Sequence, residues 1–227
     1  MPRARSKKQT DWQTAAPHET GSGCLSLYSL SILAVFFITC LIAALALNSP
    51  VKISAAPQTD STPISPIFTR EVQHWADAIT SWANASAIDP NLVAVIMQIE
   101  SCGNPSARSS AGAMGLFQVM PFHFQFGENP YNPETNALRG LNYLARSLQA
   151  ANGDARLALA GYNGGIGVIT RTEWTWHAET KRYVYYGAPI YADAISGATS
   201  SPMLDEWHQK YGAGLCRDAN QRLGLNN

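Results

Sequence analysis

The chain has 227 residues, of which 46% are hydrophobic and 14% are charged, and its 16 Lys and Arg side chains balance its 16 Asp and Glu side chains. This length accommodates one sizeable core plus an appendage, and the composition is typical of a globular protein with a membrane-compatible part. A net charge of zero argues against a nucleic-acid partner, because nucleic-acid-binding proteins carry a basic surface for the phosphates.

The N-terminal region combines a polar tail with an uncharged apolar run. Residues 1–24 are polar and carry four basic side chains, which predicts a disordered cytoplasmic tail. From Leu25 to Leu47 extend 23 uncharged residues, enough for a bilayer core that needs about 20. Because the basic residues precede this run, the positive-inside rule places everything after Asn48 outside the membrane. We therefore expect a single-pass transmembrane helix.

A cleaved secretory signal is the alternative to this anchor. Segments 44–46 and 54–56 place small residues at the spacing that signal peptidases require. Either interpretation exports the rest of the chain. Residues 48–68 hold four prolines among Ser and Thr, which predicts an extended, partly stiff stalk or linker.

A helical period begins at Arg70. Its apolar positions recur every three or four residues, at Val72, Trp75, Ala76, Ile79, Trp82 and Ala83. This spacing predicts one amphipathic helix that faces a core. The tryptophans are expected to serve packing rather than ligand binding.

The next helix has clear start and stop signals. Asp89 can accept the unpaired amides of a first turn, Pro90 has a φ angle suited to that turn, and Gly103 provides the stop. The segment between them has almost no polar face, since it contains Leu92, Val93, Ala94, Val95, Ile96, Met97 and Ile99. We therefore expect a central, buried helix.

Glu100 lies in the last turn of this helix. Apolar neighbours and the negative end of the helix dipole both disfavour the carboxylate, so we expect its pKa to be raised. A carboxylic acid that stays protonated near neutral pH is what a general acid requires. The alternative is that Glu100 points to solvent beyond the helix end, as most Glu side chains do.

A Gly- and Ser-rich loop follows, and after it come alternating aromatic residues. Phe122, Phe124 and Phe126 predict a short strand or an aromatic-lined loop, where packing is the expected use of the rings and sugar stacking the alternative. His123 stands among them without a second His or Cys at ligand spacing. We therefore predict no metal site.

Two further helices follow from their caps. Asn132 and Pro133 begin a helix that runs to about Ala150. Asp154 caps the next one, which stops at the Asn-Gly-Gly segment 163–165. Two glycines after a helix end allow a tight turn and close approach to a ligand. An ordinary glycine cap is the alternative.

The remaining sequence predicts one more helix and a cap. Residues 172–197 mix aromatic side chains with Glu179 and Arg182 and can form a helix. Residues 200–227 predict a helical cap that ends in a frayed tail. We place the boundaries of the main domain at 69–199.

Two cysteines lie in the exported region, Cys102 and Cys216. An oxidising compartment allows them to form a disulfide, which would tie the end of the central helix to the C-terminal cap. Two free, buried thiols are the alternative.

Four short blocks resemble those of one enzyme family. Glu100 with Ser101, and GAMGLFQVMP at 112–121, are similar to the ES and GLMQxMP blocks of the Slt-type lytic transglycosylases. GYNGG at 161–165 is similar to their AYNAG block, and ETKRYV at 179–184 to their ETxxYV block. The chain departs from the pattern at Phe117, where Met is usual, and has Gly in place of two Ala residues in the third block.

The resemblance implies a fold, a substrate and a location. The fold would be a mainly α, lysozyme-like (α+β superfamily) domain. Its groove would bind the glycan strands of peptidoglycan and cleave between N-acetylmuramic acid and N-acetylglucosamine. Together with the apolar run, this places the protein in the bacterial inner membrane, with the catalytic domain on the periplasmic side. We expect a monomer that needs no cofactor.

The resemblance also implies the roles of particular residues. Glu100 would be the catalytic residue, acting first as acid and then as base while the C6 hydroxyl of the sugar closes a 1,6-anhydro ring. The substrate-binding residues would be Ser101, Gln118, Tyr162, Asn163, Glu179 and Tyr183, with Tyr162 also a candidate to hold the acid in place.

Two other functions are compatible with the sequence. A goose-type lysozyme would use a carboxylate to direct a water molecule, and Asp154 is the candidate although it already serves as an N-cap. A membrane-tethered glycan-binding module would hold the wall without cutting it. The acid at Glu100 argues against a pure binder, because such a protein has no need to bury a protonated carboxyl.

Overall fold

A computed structural model of the chain describes residues 63–225. The predicted tail and the apolar run at 25–47 lie outside the described residues. Within 63–225, no helix is both long enough and apolar enough to cross a membrane.

The described part is mainly α-helical, as the sequence predicts. Its α-helices are α1 Arg70–Gln73, α2 Ala76–Ser86, α3 Pro90–Ser101, α4 Pro133–Ala150, α5 Ala155–Gly164, α6 Ala178–Ile195, α7 Pro202–Trp207 and α8 Ala213–Leu223. Short 3-10 helices cover Pro121–His123, Ile166–Val168 and Glu173–Thr175, and the π-helical segment His208–Gly212 joins α7 to α8.

Helix α3 is the centre of the fold. Its start matches the prediction, because the Asp89 side chain accepts a hydrogen bond from Asn91 N at 2.8 Å and Pro90 occupies the first position. Residues 93–97 are fully buried, and α3 packs against α1, α2, α6 and α8. Cys102 adopts a left-handed conformation at the end of α3, with φ +51°, and Gly103 follows with φ +81°. The predicted buried central helix is confirmed.

The caps of α4 and α5 are also confirmed. The Asn132 side chain accepts a hydrogen bond from Thr135 N, and the Asp154 side chain accepts one from Leu157 N, both at 3.0 Å. Helix α5 packs against α4 on one side and α6 on the other. This arrangement brings the C-terminal end of α5 close to the end of α3.

One local prediction was wrong. The helix predicted from Arg70 is divided into α1 and α2, because Trp75 leaves the helical conformation and its indole N–H donates to Gly103 O at 2.9 Å. For the aromatic segment after Pro121, the predicted loop forms rather than the strand. It starts with a 3-10 turn at Pro121–His123, since proline at the first position favours a helical turn.

Residues 63–68, assigned from the sequence to the stalk, pack onto α3 in the structure. Ile64 and Phe68 are buried, and Ser65 N donates to the Asn91 side chain at 2.7 Å. The prolines of this segment predicted a linker, so the burial of these two apolar side chains was not predicted. The packed domain therefore includes residues before the predicted boundary at 69.

The C-terminal helices are joined covalently to the end of α3. Cys102 and Cys216 form the predicted disulfide, with their Cα atoms 4.9 Å apart. Asn220 Nδ2 also donates to the buried Glu71 carboxylate at 2.9 Å. Among the described residues, the group with metal-ligand spacing is Glu71 with these two cysteines, and the disulfide leaves neither of them a thiolate.

Candidate active site

Glu100 projects from the last turn of α3 into a cavity of about 170 Å³. The cavity is lined by Ile99, Glu100, Asn163, Glu179, Arg182, Tyr183, Tyr186, Trp207, Tyr211 and Leu215. Burial of the carboxyl raises the pKa of Glu100 from 4.5 to about 8, and the negative charge of Glu179 acts in the same direction. The acid is therefore protonated at neutral pH, as the sequence predicts.

Tyr183 faces this acid from α6. Its side chain is buried, and the proximity of its hydroxyl to the Glu100 carboxyl partly offsets the rise in the pKa of Glu100. That hydroxyl has no hydrogen bond of regular geometry to any described residue. A buried hydroxyl of this kind is available to the carboxylate once Glu100 loses its proton, or to a bound ligand.

One face of α6 supplies much of the cavity wall. Glu179, Arg182, Tyr183 and Tyr186 follow at three- and four-residue spacing, so their side chains lie on the same side of the helix. Glu179 and Arg182 are exposed, whereas both tyrosines are buried. The charged groups therefore stand at the open side of the cavity and the aromatic rings line its floor.

The loop at 112–121 is held behind the acid by two buried polar residues. Ser101 Oγ donates to Leu116 O at 2.7 Å and accepts from Gly103 N at 3.1 Å. Ser101 is fully buried, so it positions the loop and lies out of reach of a ligand in either cavity. This placement differs from the substrate-binding role inferred from the resemblance.

Asn136 on α4 is the second of these residues, and the sequence analysis missed it. Its amide accepts from Phe117 N at 2.8 Å and donates to Met114 O at 2.8 Å and Pro130 O at 2.9 Å. A Cβ atom at Gly115, where φ is +75°, would lie only 2.3 Å from Asn136 Nδ2. An asparagine on the buried face of a predicted helix was the available signal.

Gln118 occupies the strained point of the loop. Its φ of +45° is uncommon for a residue with a side chain, and such conformations cluster at functional sites. The side-chain amide donates to Gly115 O at 2.9 Å and to Ala107 O at 3.3 Å, which leaves its oxygen available to a ligand.

A second cavity of about 270 Å³ adjoins the first. Asn163 lines both, and the other lining residues include Gln118, Phe122, His123, Tyr143, Tyr162 and Gly165. Phe122 is 75% exposed. Partial burial and the charge of Arg146 lower the pKa of His123. The two cavities together form a groove with aromatic rings at one end and charged groups at the other.

Tyr162 and Asn163 are fixed at the junction of the cavities. The Tyr162 hydroxyl donates to Phe117 O at 2.8 Å, and Asn163 Oδ1 accepts from the Thr180 hydroxyl at 2.9 Å. A Cβ atom at Gly164 would lie 2.6 Å from that hydroxyl oxygen, so the turn needs glycine there. The structure thus brings together all the predicted site residues except Ser101, which stays behind the loop.

The C-terminal cap contributes residues that sequence analysis did not assign to the site. Trp207, Tyr211 and Leu215, spaced four residues apart, line the cavity that holds Glu100. The Arg182 guanidinium lies 5.2 Å from the centre of the Tyr211 ring. The spacing of the two aromatic residues was visible in the sequence, but nothing local showed that this face covers the acid.

Asp154, the candidate second acid of a lysozyme, is remote from these cavities. It is exposed at the first end of α5, whereas Tyr162 lies near the other end. At about 1.5 Å per residue, the helix separates the two by roughly 12 Å along its axis. Asp154 lines neither cavity.

These observations define a helical domain with a protonated acid at the end of its central helix, set in a groove. The Transglycosylase SLT domain family matches residues 77–184, which hold Glu100 and all four sequence blocks. This region belongs to the SLT-domain lytic transglycosylase family, which is lysozyme-like, as the sequence blocks predict.

Curated relatives share this region. The chain is 38% identical over 111 residues to a protein named Transglycosylase from Enterobacteria phage PRD1, a match that covers 48% of this chain and 40% of the phage protein. It is 31% identical over 87 residues to Membrane-bound lytic murein transglycosylase E from Buchnera aphidicola, a match covering 33% of this chain and 39% of that protein. The chain thus spans about two fifths of either relative.

One solved structure is also similar. It is the X-ray structure of an inactive mutant of lytic transglycosylase Slt from Pseudomonas aeruginosa, at 26% identity and a TM-score of 0.44. The match covers 59% of this chain and 26% of that chain.

Proposed function

We propose that the protein is a peptidoglycan lytic transglycosylase, which cleaves the β-1,4 bond between N-acetylmuramic acid and N-acetylglucosamine and leaves a 1,6-anhydro ring. The observation that carries this proposal is the Glu100 carboxyl, which lies in a groove within the family match and has its pKa raised to about 8. A protonated acid at neutral pH is ready to act on a leaving sugar oxygen.

In the first step, Glu100 donates its proton to the glycosidic oxygen. The bond from that oxygen to C1 of the muramic acid breaks, and the N-acetylglucosamine leaves as an alcohol. Positive charge develops on the ring oxygen and C1, as in other glycoside cleavages. The carbonyl oxygen of the substrate's N-acetyl group and the Gln118 and Asn163 side chains are the proposed sources of stabilisation.

In the second step, Glu100 acts as a base. The new carboxylate accepts the proton of the C6 hydroxyl while O6 bonds to C1, so the ring closes and the acid is restored. No water is consumed. The Tyr183 hydroxyl, buried beside the carboxyl without a regular partner, is placed to donate to the carboxylate between the two steps.

We assign the remaining residues to positioning or binding. Ser101 and Tyr162 hold the loop through the Leu116 and Phe117 carbonyls, so each acts on the substrate through that loop. Glu179 is exposed at the edge of the cavity. We propose that it binds sugar or that its negative charge helps to keep Glu100 protonated.

The geometry gives less support to hydrolysis. A hydrolase of this kind would need a second carboxylate to direct water, and Asp154 lies outside both cavities. Glu179 is the carboxylate that shares a cavity with Glu100, and its removal therefore tests whether a second acid takes part.

We also propose that residues 25–47 anchor the protein in the inner membrane with the enzyme on the periplasmic side. The uncharged sequence and its preceding basic residues support this topology. Reporter fusions at Ser22 and Ala56 should report opposite sides of the membrane. A soluble mature form starting near Leu47 would instead indicate cleavage.

The role of Glu100 is tested by Glu100→Gln in the 227-residue chain. Glutamine keeps the size and hydrogen-bonding reach of the side chain but cannot give up a proton. Binding to purified glycan strands should persist, while turnover should fall by at least about 10²- to 10⁴-fold. Asp154→Asn, a matched control for loss of a carboxylate, should stay within about tenfold of the unchanged protein. Full turnover by the Gln variant would overturn this site.

A further inference from the structure

The cavity around Glu100 contains a guanidinium that the proposed mechanism does not use. Arg182 extends from α6 on the same face as Glu179 and Tyr183, and its side chain is exposed at the open side of the cavity. Its guanidinium lies over the Tyr211 ring, 5.2 Å from the ring centre. This contact limits the positions that the long side chain can take, because the face of the ring attracts the cation.

Arg182 has no anionic partner among residues 63–225. Other arginines of the domain do pair: Arg139 with Glu128 and Arg156 with Glu173. Glu179 lies one turn from Arg182, yet the ion pairs among the described residues do not include one between them. The donors of Arg182 therefore remain available to a ligand, and a guanidinium offers the planar pair of N–H groups that suits a carboxylate.

The sugar backbone of a peptidoglycan strand carries no anionic group that could pair with Arg182. N-acetyl sugars are neutral, and in the intact wall the lactyl carboxyl of muramic acid is joined to the stem peptide as an amide. The anionic groups of the polymer are the carboxylates of that stem. The aromatic end of the groove, with Phe122 exposed, suits sugar rings, whereas the end with Arg182 suits a charged substituent.

We propose that Arg182, held against Tyr211, forms a subsite for a carboxylate of the stem peptide next to the bond that is cleaved. This inference rests on the proposed function. The subsite would make the enzyme selective for glycan that still bears its acidic stem peptides. The subsite depends on the C-terminal cap, which supplies Tyr211 and lies beyond the family match at 77–184.

Packing and a disulfide hold the C-terminal cap beside the cavity that contains Glu100. Trp207 is buried, and the Cys102–Cys216 disulfide joins α8 to the residue two positions after Glu100. The acid and the Tyr211 ring are therefore held by connected elements. A carboxylate bound at Arg182 would position the muramic acid relative to the proton that Glu100 donates.

A double-mutant cycle tests the subsite through binding alone. Dissociation constants are measured for the 227-residue chain carrying Glu100→Gln, with and without Arg182→Gln. One ligand is a muramyl disaccharide with a tetrapeptide stem, and the other is the same compound with its carboxylates converted to amides. We expect Arg182→Gln to raise the dissociation constant of the acidic ligand by about 10- to 100-fold. The dissociation constant of the amidated ligand should change by no more than about twofold.

Two control variants show whether the effect is specific to the Arg182 guanidinium. Arg171→Gln removes the same chemical group from an exposed position outside both cavities and should leave both ligands unchanged. Arg182→Lys keeps the charge without the planar pair of donors and should recover part of the affinity. Equal weakening of both ligands, or no weakening of either, would overturn the subsite.

The cycle is independent of the proposed reaction. If the unchanged protein released no 1,6-anhydro ends but Arg182 still discriminated between the two ligands, the proposed reaction would fail and the subsite would stand. If the anhydro ends formed and the discrimination were absent, only the subsite would fail.

Discussion

The buried hydroxyl of Tyr183 faces the carboxyl of Glu100, and it makes no regular hydrogen bond to any residue that the structure describes. Burial dominates the pKa of Glu100, and the tyrosine opposes it by favouring the carboxylate. Glu100 therefore keeps its proton before the reaction. Once it has lost that proton, the Tyr183 hydroxyl can donate a hydrogen bond to the carboxylate.

The first prediction concerns Tyr183→Phe. Loss of the hydroxyl should raise the pKa of Glu100 further, so the alkaline fall of kcat/KM should move to higher pH. The rate should drop by roughly 10- to 100-fold, the value of a hydrogen bond to a charged group. Stability should not fall, because no regular hydrogen bond is lost. A variant that unfolds more easily but keeps its pH profile would assign Tyr183 a purely structural role.

Tyr162→Phe is the matched comparison for that variant. The Tyr162 hydroxyl donates to Phe117 O, so its loss leaves a carbonyl unpaired in the loop. The free energy of unfolding should fall by about 1–3 kcal/mol. The pH dependence of kcat/KM should change little, since the removed group serves the loop.

The second prediction links Glu100 to stability. With a pKa raised from 4.5 to about 8, the folded protein keeps a proton that the unfolded chain releases between these pH values. Stability should therefore fall as pH rises from about 4.5 to 8, by an amount on the order of several kcal/mol. Glu100→Gln should remove this slope and be more stable than the unchanged protein at pH 8.

Urea unfolding at pH 4 and pH 8.5 measures this slope. The gain of the Gln variant should be small at pH 4 and large at pH 8.5. Asp218→Asn, at an exposed carboxyl, serves as the control and should not change the slope in this window. A parallel pH dependence in the Glu100→Gln variant and the unchanged protein would contradict the raised pKa.

The third prediction concerns Ser101→Ala. Because Ser101 Oγ joins Gly103 N to Leu116 O in the core, the change leaves buried polar atoms without partners. Thermal unfolding should show a loss of about 1–3 kcal/mol. The dissociation constant for peptide-free glycan should stay within about threefold, because this hydroxyl lies out of reach of the groove. A selective loss of glycan affinity at full stability would restore a direct binding role.

The fourth prediction concerns the disulfide between Cys102 and Cys216, which are 114 positions apart. Replacing both with Ser should lower the free energy of unfolding by about 4–5 kcal/mol on the chain-entropy model. Thiol labelling of the unfolded, unreduced protein should find neither of these two cysteines reactive. Reaction of both, or unchanged stability in the double variant, would contradict the bridge.

The sequence predicted those features that depend on a few neighbouring residues. The caps at Asp89, Asn132 and Asp154 and the buried run of α3 follow from local hydrogen bonding and periodicity, and the structure has them as predicted. The position of Glu100 at the end of a buried helix was sufficient to predict the direction of its pKa shift.

The missed features depend on contacts distant in the chain. Trp75 breaks the first predicted helix because its indole binds Gly103 O, 28 positions away. Ser101 turns inward to reach Leu116 O, which its place in a sequence block does not reveal. Tyr211 reaches the cavity only because the cap folds back over α3, and no local pattern encodes that docking.

In the proposed reaction, Glu100 directs the C6 hydroxyl of the sugar, rather than water, onto C1. The most direct measurement is mass spectrometry of the products released from purified peptidoglycan by the 227-residue chain in water enriched in oxygen-18. The proposed reaction predicts 1,6-anhydromuramyl ends without the heavy isotope, and no such products from the Glu100→Gln variant. Reducing ends that each carry one oxygen-18 atom as the main product would show attack by water and contradict the account.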